Sequence, residues 1–516
     1  MAESVPPNIG SLRLAPLPGA VPAWRATVDS DGLRRACEAV ARGGGRLGAL
    51  WASDERDRGA GFALHAVLVA FEGLVCVDVR LEGETYADVS DIFPAAGRMQ
   101  RAIADLMGLR TAVRDTRGWL RHGAWREDAF PLRRDVALDA RLAAGDPRYA
   151  FVPVEGEGVH EIPVGPVHAG IIEPGHFRFS VVGERVLRLE ERLGYAHKGV
   201  EKRFESLSLE EAARLAARVS GDSSVAFSWA YAMALETAAA CKVPERALWL
   251  RALLLERERI ANHLGDLGSL GNDGGLAFGL AQFSRMKEDL LRTNTGLFGH
   301  RYLMDRVVPG GVTVDLDTAG ADSILAEADR LEDELRTLRS IYYDHAGLQD
   351  RCINCGRLTP RTAAALGVVG LAARASGHAI DARVFPGHAP YGELGPRLCS
   401  HRNGDVAARI VVRFEEAFES LDLQRKILHA LPSTPTLTRL PEIAQRAFGI
   451  GWIEGWRGEV LLAVEADADG RIRRCHPHDP SWQNWPALEH AVIGNIVPDF
   501  PLINKSFNLS YAGADL

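Results

Sequence analysis

The sequence predicts an α+β protein: a small N-terminal α/β domain followed by a mainly helical domain with peripheral β-hairpins. Three observations predict it. Early runs, Phe62 to Phe71 and Leu74 to Leu81, are rich in β-branched residues and alternate in polarity. From Leu207 onward, long segments carry apolar residues at three- and four-residue spacing. Near the end, Val460 to Ile472 is split by Asp467 to Gly470 in the manner of a hairpin.

In chain order, Arg98 to Gly108 adds a helix to the first domain, which spans residues 1–135. Residues 136–160 are charged and glycine-rich with little apolar content, the composition of a linker. The second domain, residues 161–516, opens with strands around Glu173-Pro174-Gly175-His176, where Pro-Gly signals a turn, and Phe177 to Ser180 pairs with Arg185 to Leu189. Helices are expected over Leu207 to Val219, Ala226 to Ala240, Glu245 to Leu267, Leu280 to Leu297, Ala321 to Asp344 and Asp405 to Leu431.

The 516 residues exceed one ordinary core. A net charge of −8 lacks the cationic excess that a general nucleic-acid binder needs. The most apolar stretch, Ala247 to Leu255, is interrupted by Arg251 and falls short of a bilayer span. Met1 to Pro22 has neither a basic start nor an apolar run, so a cytoplasmic protein without a signal peptide is expected. Seven scattered cysteines suit reduced thiols rather than a disulfide framework. Gly43-Gly44-Gly45 is a loop signal, and no dinucleotide fingerprint follows a strand.

Several phrases, in order, resemble one superfamily. They are Gly165-Pro-Val-His168 with His176-Phe177, Gly194-Tyr195-Ala-His197-Lys198-Gly199-Val-Glu201-Lys202, Arg259-Ile-Ala-Asn262-His263-Leu264 and Pro309-Gly310-Gly311-Val312. Arg374-Ala-Ser376-Gly377, Gly404-Asp405, Arg457-Gly458-Glu459 and Asp479-Pro-Ser481-Trp482 continue the series. Together they resemble the large subunit of membrane-associated nickel–iron hydrogenases and the 49-kilodalton-type subunit of complex I. Phe93-Pro94-Ala95-Ala96, Ile103-Ala-Asp105-Leu106 and Pro131-Leu132-Arg133-Arg134-Asp135 resemble the 30-kilodalton-type subunit. The fused arrangement is similar to formate-hydrogenlyase-type (group 4) large subunits. The helical domain is therefore expected to be hydrogenase-large-subunit-like.

The resemblance implies a centre held by two Cys-x-x-Cys pairs. At the first pair this sequence has Ser220 and Ser223, and at the second it has Ser510 and Gly513. Nickel and low-spin iron need soft, anionic thiolate, so no nickel–iron centre and no other metal is expected. The sequence stops soon after the second motif, which fits a protein not matured around nickel. In complex I the vacated cavity takes a quinone headgroup, beside a histidine and a tyrosine. By this resemblance His197 stands for the histidine, while Gly221 occupies the tyrosine's place, as in hydrogenases.

His197 is thus a candidate proton or hydrogen-bond donor to a quinone oxygen, against the alternative of a turn histidine satisfied by backbone. Glu201 matches the acid that carries protons in hydrogenases, or else pairs with Lys198 or Lys202 on the surface. Ser220, Gly221, Ser223 and Ser510 are expected to line the cavity, or the serines simply cap helices. Cys352-Ile-Asn-Cys355 supplies only half a metal site and is read as incidental. His476 and His478 are expected to be exposed in a loop, and Trp482 and Trp485 to pack the last domain.

The functional expectation is a peripheral-arm subunit on the cytoplasmic face of the membrane. It would sit beside an iron–sulfur small subunit and antiporter-like membrane subunits, passing electrons to quinone or another acceptor. The rival is a structural or conformational coupling subunit without redox chemistry.

Overall fold

The structure is a computed structural model and describes residues 5–10, 12–112, 115–205, 207–467 and 470–516. Parts of the Pro- and Gly-rich start and of the turn expected at Asp467 to Gly470 lie outside them.

Strands β1 (Ala15–Pro16), β2 (Ala23–Val28), β3 (Arg46–Asp54), β4 (Phe62–Ala70) and β5 (Gly73–Leu81) form one sheet in the order β1-β2-β5-β4-β3. The β2–β5 pair is parallel and the others are antiparallel. Helix α1 (Ser30–Arg42) is capped by Asp29, whose carboxylate accepts from Gly32 N–H at 2.6 Å. With α2 (Ala96–Met107) it covers one face of the sheet, where Leu64, Leu68, Val75 and Val77 are buried. The alternate residues Ala49, Trp51, Val67 and Cys76 are buried too, in a second core shared with the rest of the chain. Covering both faces explains why these strands read as nearly continuous apolar runs. A short parallel pair, β6 (Thr85–Tyr86) and β7 (Arg110–Thr111), completes the module. From there to Val159 the described residues carry no helix or strand.

Strands β8 (Val159–Val164), β9 (His176–Val182) and β10 (Arg185–Arg192) follow as an antiparallel sheet, in which β9 and β10 form the expected hairpin. Short helices α3 (Val200–Phe204) and α4 (Leu209–Ala216) lead to α5 (Ser224–Ala238), α6 (Glu245–Asp273), α7 (Ala277–Phe298) and α8 (Thr318–Asp344). Between α7 and α8 lies the ribbon β11 (Val307–Val308) and β12 (Gly311–Val312). Four short helices, α9 (Ala346–Cys352), α10 (Pro360–Leu366), α11 (Gly370–Ala375) and α12 (Tyr391–Leu394), precede the long α13 (Val406–His429). A sheet in the order β13-β14-β15 then forms from Phe448–Glu454, Glu459–Ala466 and Ile472–His478. The chain closes with α14 (Ser481–Ala491), α15 (Phe500–Phe507) and α16 (Tyr511–Asp515).

Helix α5 is buried on every side from Ser224 to Thr237, as its lack of a polar stripe requires. Strand β13 lies directly upon it. A Cβ at Gly449 would meet Ala234 O at 1.8 Å, and one at Gly451 would meet Ala230 O at 1.9 Å, so only glycine permits this approach. Long α6 carries Arg251, Arg257 and Arg259 fully buried, each against a carboxylate: Glu236, Glu327 and Glu416.

The expected loop around His476 is in fact strand β15, and both His476 and His478 are buried. The N-terminal module covers them: Trp51 of β3 stacks on the His476 ring at 4.8 Å. Trp51 also stacks on His65, at 5.3 Å. Cys352 and Cys355 are buried free thiols, and Trp482 and Trp485 are buried as expected. Among the described residues no helix is long and apolar enough to cross a membrane.

Candidate functional site

The stretch before α5 and the start of α16 meet at the floor of a cleft of about 930 Å³. Ser220, Gly221, Asp222, Arg457, Ser510 and Tyr511 are among its lining residues. The hydroxyls of Ser220 and Ser510 lie 2.9 Å apart, although the residues are 290 positions apart in sequence. Ser510 is also the N-cap of α16, accepting from Gly513 N–H at 2.9 Å, so the lining and capping readings both hold for it. Ser220 donates to Asp222 Oδ1 at 3.0 Å.

Arg457 dominates the electrostatics of the floor. Its guanidinium binds the Asp222 carboxylate through both terminal nitrogens, donates to Asn508 O, and stacks over the Trp456 ring at 4.0 Å. Burial pushes the Asp222 carboxyl up, but Arg457 outweighs it and the net shift is downward, so the aspartate is an anion. Ser223 does not line the cleft as expected. It lies beneath Arg457, accepting from Nη1 at 3.3 Å.

Where α5 begins, Ser223 makes no side-chain cap. Glu258 of α6 does that work, accepting from Val225 N–H at 2.7 Å and Ala226 N–H at 3.2 Å. Burial is the largest influence on it and raises its carboxyl to about 8. Gly221 faces open space, with nothing within 4 Å of where a Cβ would stand. Gly513 is the opposite case, since a Cβ there would lie 2.4 Å from Asp479 Oδ2. The four places thus offer three hydroxyls and a glycine backed by a carboxylate. That donor set is hard, unlike the thiolates that stabilise nickel and low-spin iron.

His197 and Glu201 are not part of this cleft. His197 donates from Nδ1 to Asp515 O at 2.7 Å and faces a separate cavity of about 160 Å³, walled by Leu106, Leu132 and Leu142. Glu201 is buried and does not pair with Lys198 or Lys202. It accepts from Arg474 Nη2 at 2.6 Å and from His476 Nδ1 at 2.7 Å. Burial alone would raise its carboxyl, but Arg474 and His476 more than offset this and hold it at about 2. An acid fixed in the anionic form this firmly is a poor proton carrier at neutral pH. The chain end folds between the two regions, as the Asp515 carboxylate accepts from Gly194 N–H at 2.8 Å and Ala196 N–H at 2.9 Å.

The cleft instead presents two residues that sequence reasoning left without a role. His168 and Tyr511 both line it, with His168 Nε2 3.3 Å from the Tyr511 hydroxyl. The signal for His168 was present in the Gly165-Pro-Val-His168 phrase. For Tyr511 the signal was only its place between Ser510 and Gly513. Val167 and Ile171 on the same loop are exposed, Ile171 completely.

Comparison with known proteins agrees with this architecture. Residues 26–142 match the family described as respiratory-chain NADH dehydrogenase, 30 Kd subunit, and residues 273–448 match the 49 Kd subunit. Formate hydrogenlyase subunit 5 of Escherichia coli (strain K12) is 31% identical, over 92% of this chain and 85% of that protein. Hydrogenase-4 component G of the same organism is 32% identical, over 91% of this chain and 84% of its own length. Among solved structures, a chain of the membrane-bound sulfane sulfur reductase, an archaeal respiratory membrane complex, shares the fold with a TM-score of 0.66. It is 24% identical and covers 71% of this chain and 100% of its own. The chain belongs to the family of formate-hydrogenlyase-type (group 4) hydrogenase large subunits, in which the 30-kilodalton and 49-kilodalton modules of complex I are fused in one polypeptide.

Proposed function

We propose that this chain is a peripheral subunit of a membrane-bound oxidoreductase complex, on the cytoplasmic face, and that its cleft passes electrons to a quinone-type acceptor without nickel–iron. The observation that carries this reading is the Ser220–Ser510 hydroxyl pair, 2.9 Å apart at the floor of a cleft of about 930 Å³. With Ser220 donating to Asp222 and Ser510 to Ser220, both hydroxyl hydrogens are spent within the floor, and neutral hydroxyls are poor ligands for a soft metal. The open face at Gly221 leaves room for a ring above them. His168 and Tyr511 supply polar hydrogens at the cleft wall. Electrons would arrive from an iron–sulfur small subunit docked on the exposed loop that carries Val167 and Ile171, and the membrane arm would consist of antiporter-like subunits.

A second reading has its own support. Asp222, Arg457, Ser220 and Ser510 satisfy one another, as a purely structural or conformational coupling junction would. The test is purification of the whole complex, metal analysis, and quinone reduction by wild type and His168→Ala. We expect nickel far below one per chain and a rate at least about tenfold lower in the variant. Stoichiometric nickel overturns the metal-free site. Absence of turnover with every quinone tried selects the coupling role.

A further inference from the structure

Two cysteines that the cleft does not use stand at the ends of one tight turn. Cys352 closes α9, and Cys355 follows after Ile353 and Asn354. Ile353 has φ −69° and ψ 129°, Asn354 has a left-handed φ of 62°, and Cys355 N–H donates to Cys352 O at 3.4 Å. These are the features of a type II turn, whose first and last Cα atoms lie less than about 7 Å apart. Ile353 and Asn354 at its tip are exposed, whereas Cys352 is fully buried and Cys355 only 7% exposed. The two thiols are thus held close together just beneath the surface.

The neighbouring cation is Arg409 of α13, which is fully buried. It donates to three neutral oxygens, Ser506 Oγ at 2.8 Å, Gly404 O at 2.7 Å and Gly356 O at 2.8 Å, and stacks on Phe507 at 4.2 Å. Unlike Arg251, Arg257 and Arg259, it pairs with no carboxylate among the described residues. Asp405, one turn earlier, is spent on Asn354 N–H at 2.9 Å and Ala408 N–H at 2.8 Å. Burial pushes the Cys352 thiol up to about 12 and the Cys355 thiol to about 11, with Arg409 acting in the opposite sense. Two protonated thiols therefore lie beside a guanidinium that lacks a contacting anion, a costly state for a buried charge.

Two thiols are half of a zinc site, and among the described residues no group of three or more His, Cys, Asp or Glu is placed to hold a metal. They are the whole of a linear, two-coordinate one. We propose that Cys352 and Cys355 bind one soft monovalent cation of the Cu(I) class between their sulfurs. One Cu(I) and two thiols give a bis-thiolate complex of charge −1 and release two protons, with no change of oxidation state. That complex supplies the anion that Arg409 lacks. A divalent ion would give a neutral complex with coordination places unfilled, and a disulfide would be neutral too. The site is distinct from the cleft, because it lies behind α15: Gly356 packs on Ile503, where a Cβ would stand 2.7 Å from that side chain, while Phe500, Asn504 and Lys505 line the cleft.

The test is anaerobic titration of the full-length chain with Cu(I) held by a chromophoric chelator, followed by X-ray absorption at the copper edge. The wild type should take one copper per chain from the chelator, with two sulfur neighbours. Its affinity should rise about a hundredfold per pH unit near neutrality, as the release of two protons requires. Cys355→Ser should lose this copper, whereas the double variant Cys241→Ser/Cys399→Ser, which removes the other two partly exposed thiols, should keep it. Arg409→Gln should weaken binding by about 10- to 100-fold and Arg409→Lys by less, the melting temperature of each copper-free variant reporting that it is folded. Failure of the wild type to retain copper, equal retention by Cys355→Ser, three or more sulfur neighbours, or conversion of the pair to a disulfide without bound copper overturns the assignment.

Discussion

Replacing Glu201 by glutamine tests the ion cluster that joins the two modules. The glutamine keeps the shape of the side chain but removes the charge that faces Arg474 and His476. The Glu201 carboxyl falls from an ordinary 4.5 to about 2, and at about 1.4 kcal/mol per tenfold change in proton affinity this is about 3 kcal/mol. Breaking a buried pair by removing one partner costs about 3–5 kcal/mol, so two independent routes agree. The sign follows from the depressed value. This stabilisation is complete above the ordinary carboxylate range and is lost as the pH falls toward 2. Urea unfolding at pH 7 should show Glu201→Gln less stable by about 3 kcal/mol, and the gap should shrink to about 1 kcal/mol near pH 3. A variant as stable as wild type at pH 7, or a gap that does not change with pH, would refute the reasoning.

Ser510→Ala should cost about 1 kcal/mol, because α16 loses its cap and the Ser220 hydroxyl loses a partner; thermal unfolding measures it. Gly221→Tyr should change stability by less than about 1 kcal/mol, since its Cβ meets open space, and should hinder ligands entering the cleft. Gly513→Ala should destabilise by about 1–3 kcal/mol as its methyl presses on Asp479, a loss that Asp479→Ala relieves in the double variant. Restoring cysteine at 220, 223, 510 and 513 together should not bring stoichiometric nickel in metal analysis. The Arg457–Asp222 pair and the Asp479 carboxylate still occupy the surroundings of those positions.

Most of the architecture was legible because it rests on local periodicity. Helices α4 to α8 and α13 and the hairpin of β9 and β10 fall where apolar spacing and the Pro-Gly turn put them. Burial of β15 was not legible. Cys475-His476-Pro-His478 looks polar, and distant residues such as Trp51, more than 400 positions earlier, make that strand an interior one. The candidate site divides in the same way. Ser220, Gly221 and Ser510 were locatable from motif phrases and do meet. His197 was assigned to the same cavity because it shares the motif series, but its hydrogen bond to Asp515, 318 positions away, turns it toward another space. Glu201 next to two lysines suggests a surface pair, and sequence spacing gives no hint that Arg474 arrives from β15.

The stacking of Trp51 on both His65 and His476 bears on why one polypeptide carries both modules. The two histidine rings are each held by a carboxylate, His65 by Asp78 and His476 by Glu201, so beside the apolar core that the two modules share this part of the junction is polar and demanding in geometry. Two free proteins forming such a contact would pay the full translational and rotational entropy of association. A covalent tether holds them instead at a local concentration in the millimolar range, where the junction stays closed at any dilution of the chain. Fusion thereby fixes a one-to-one stoichiometry of the two modules.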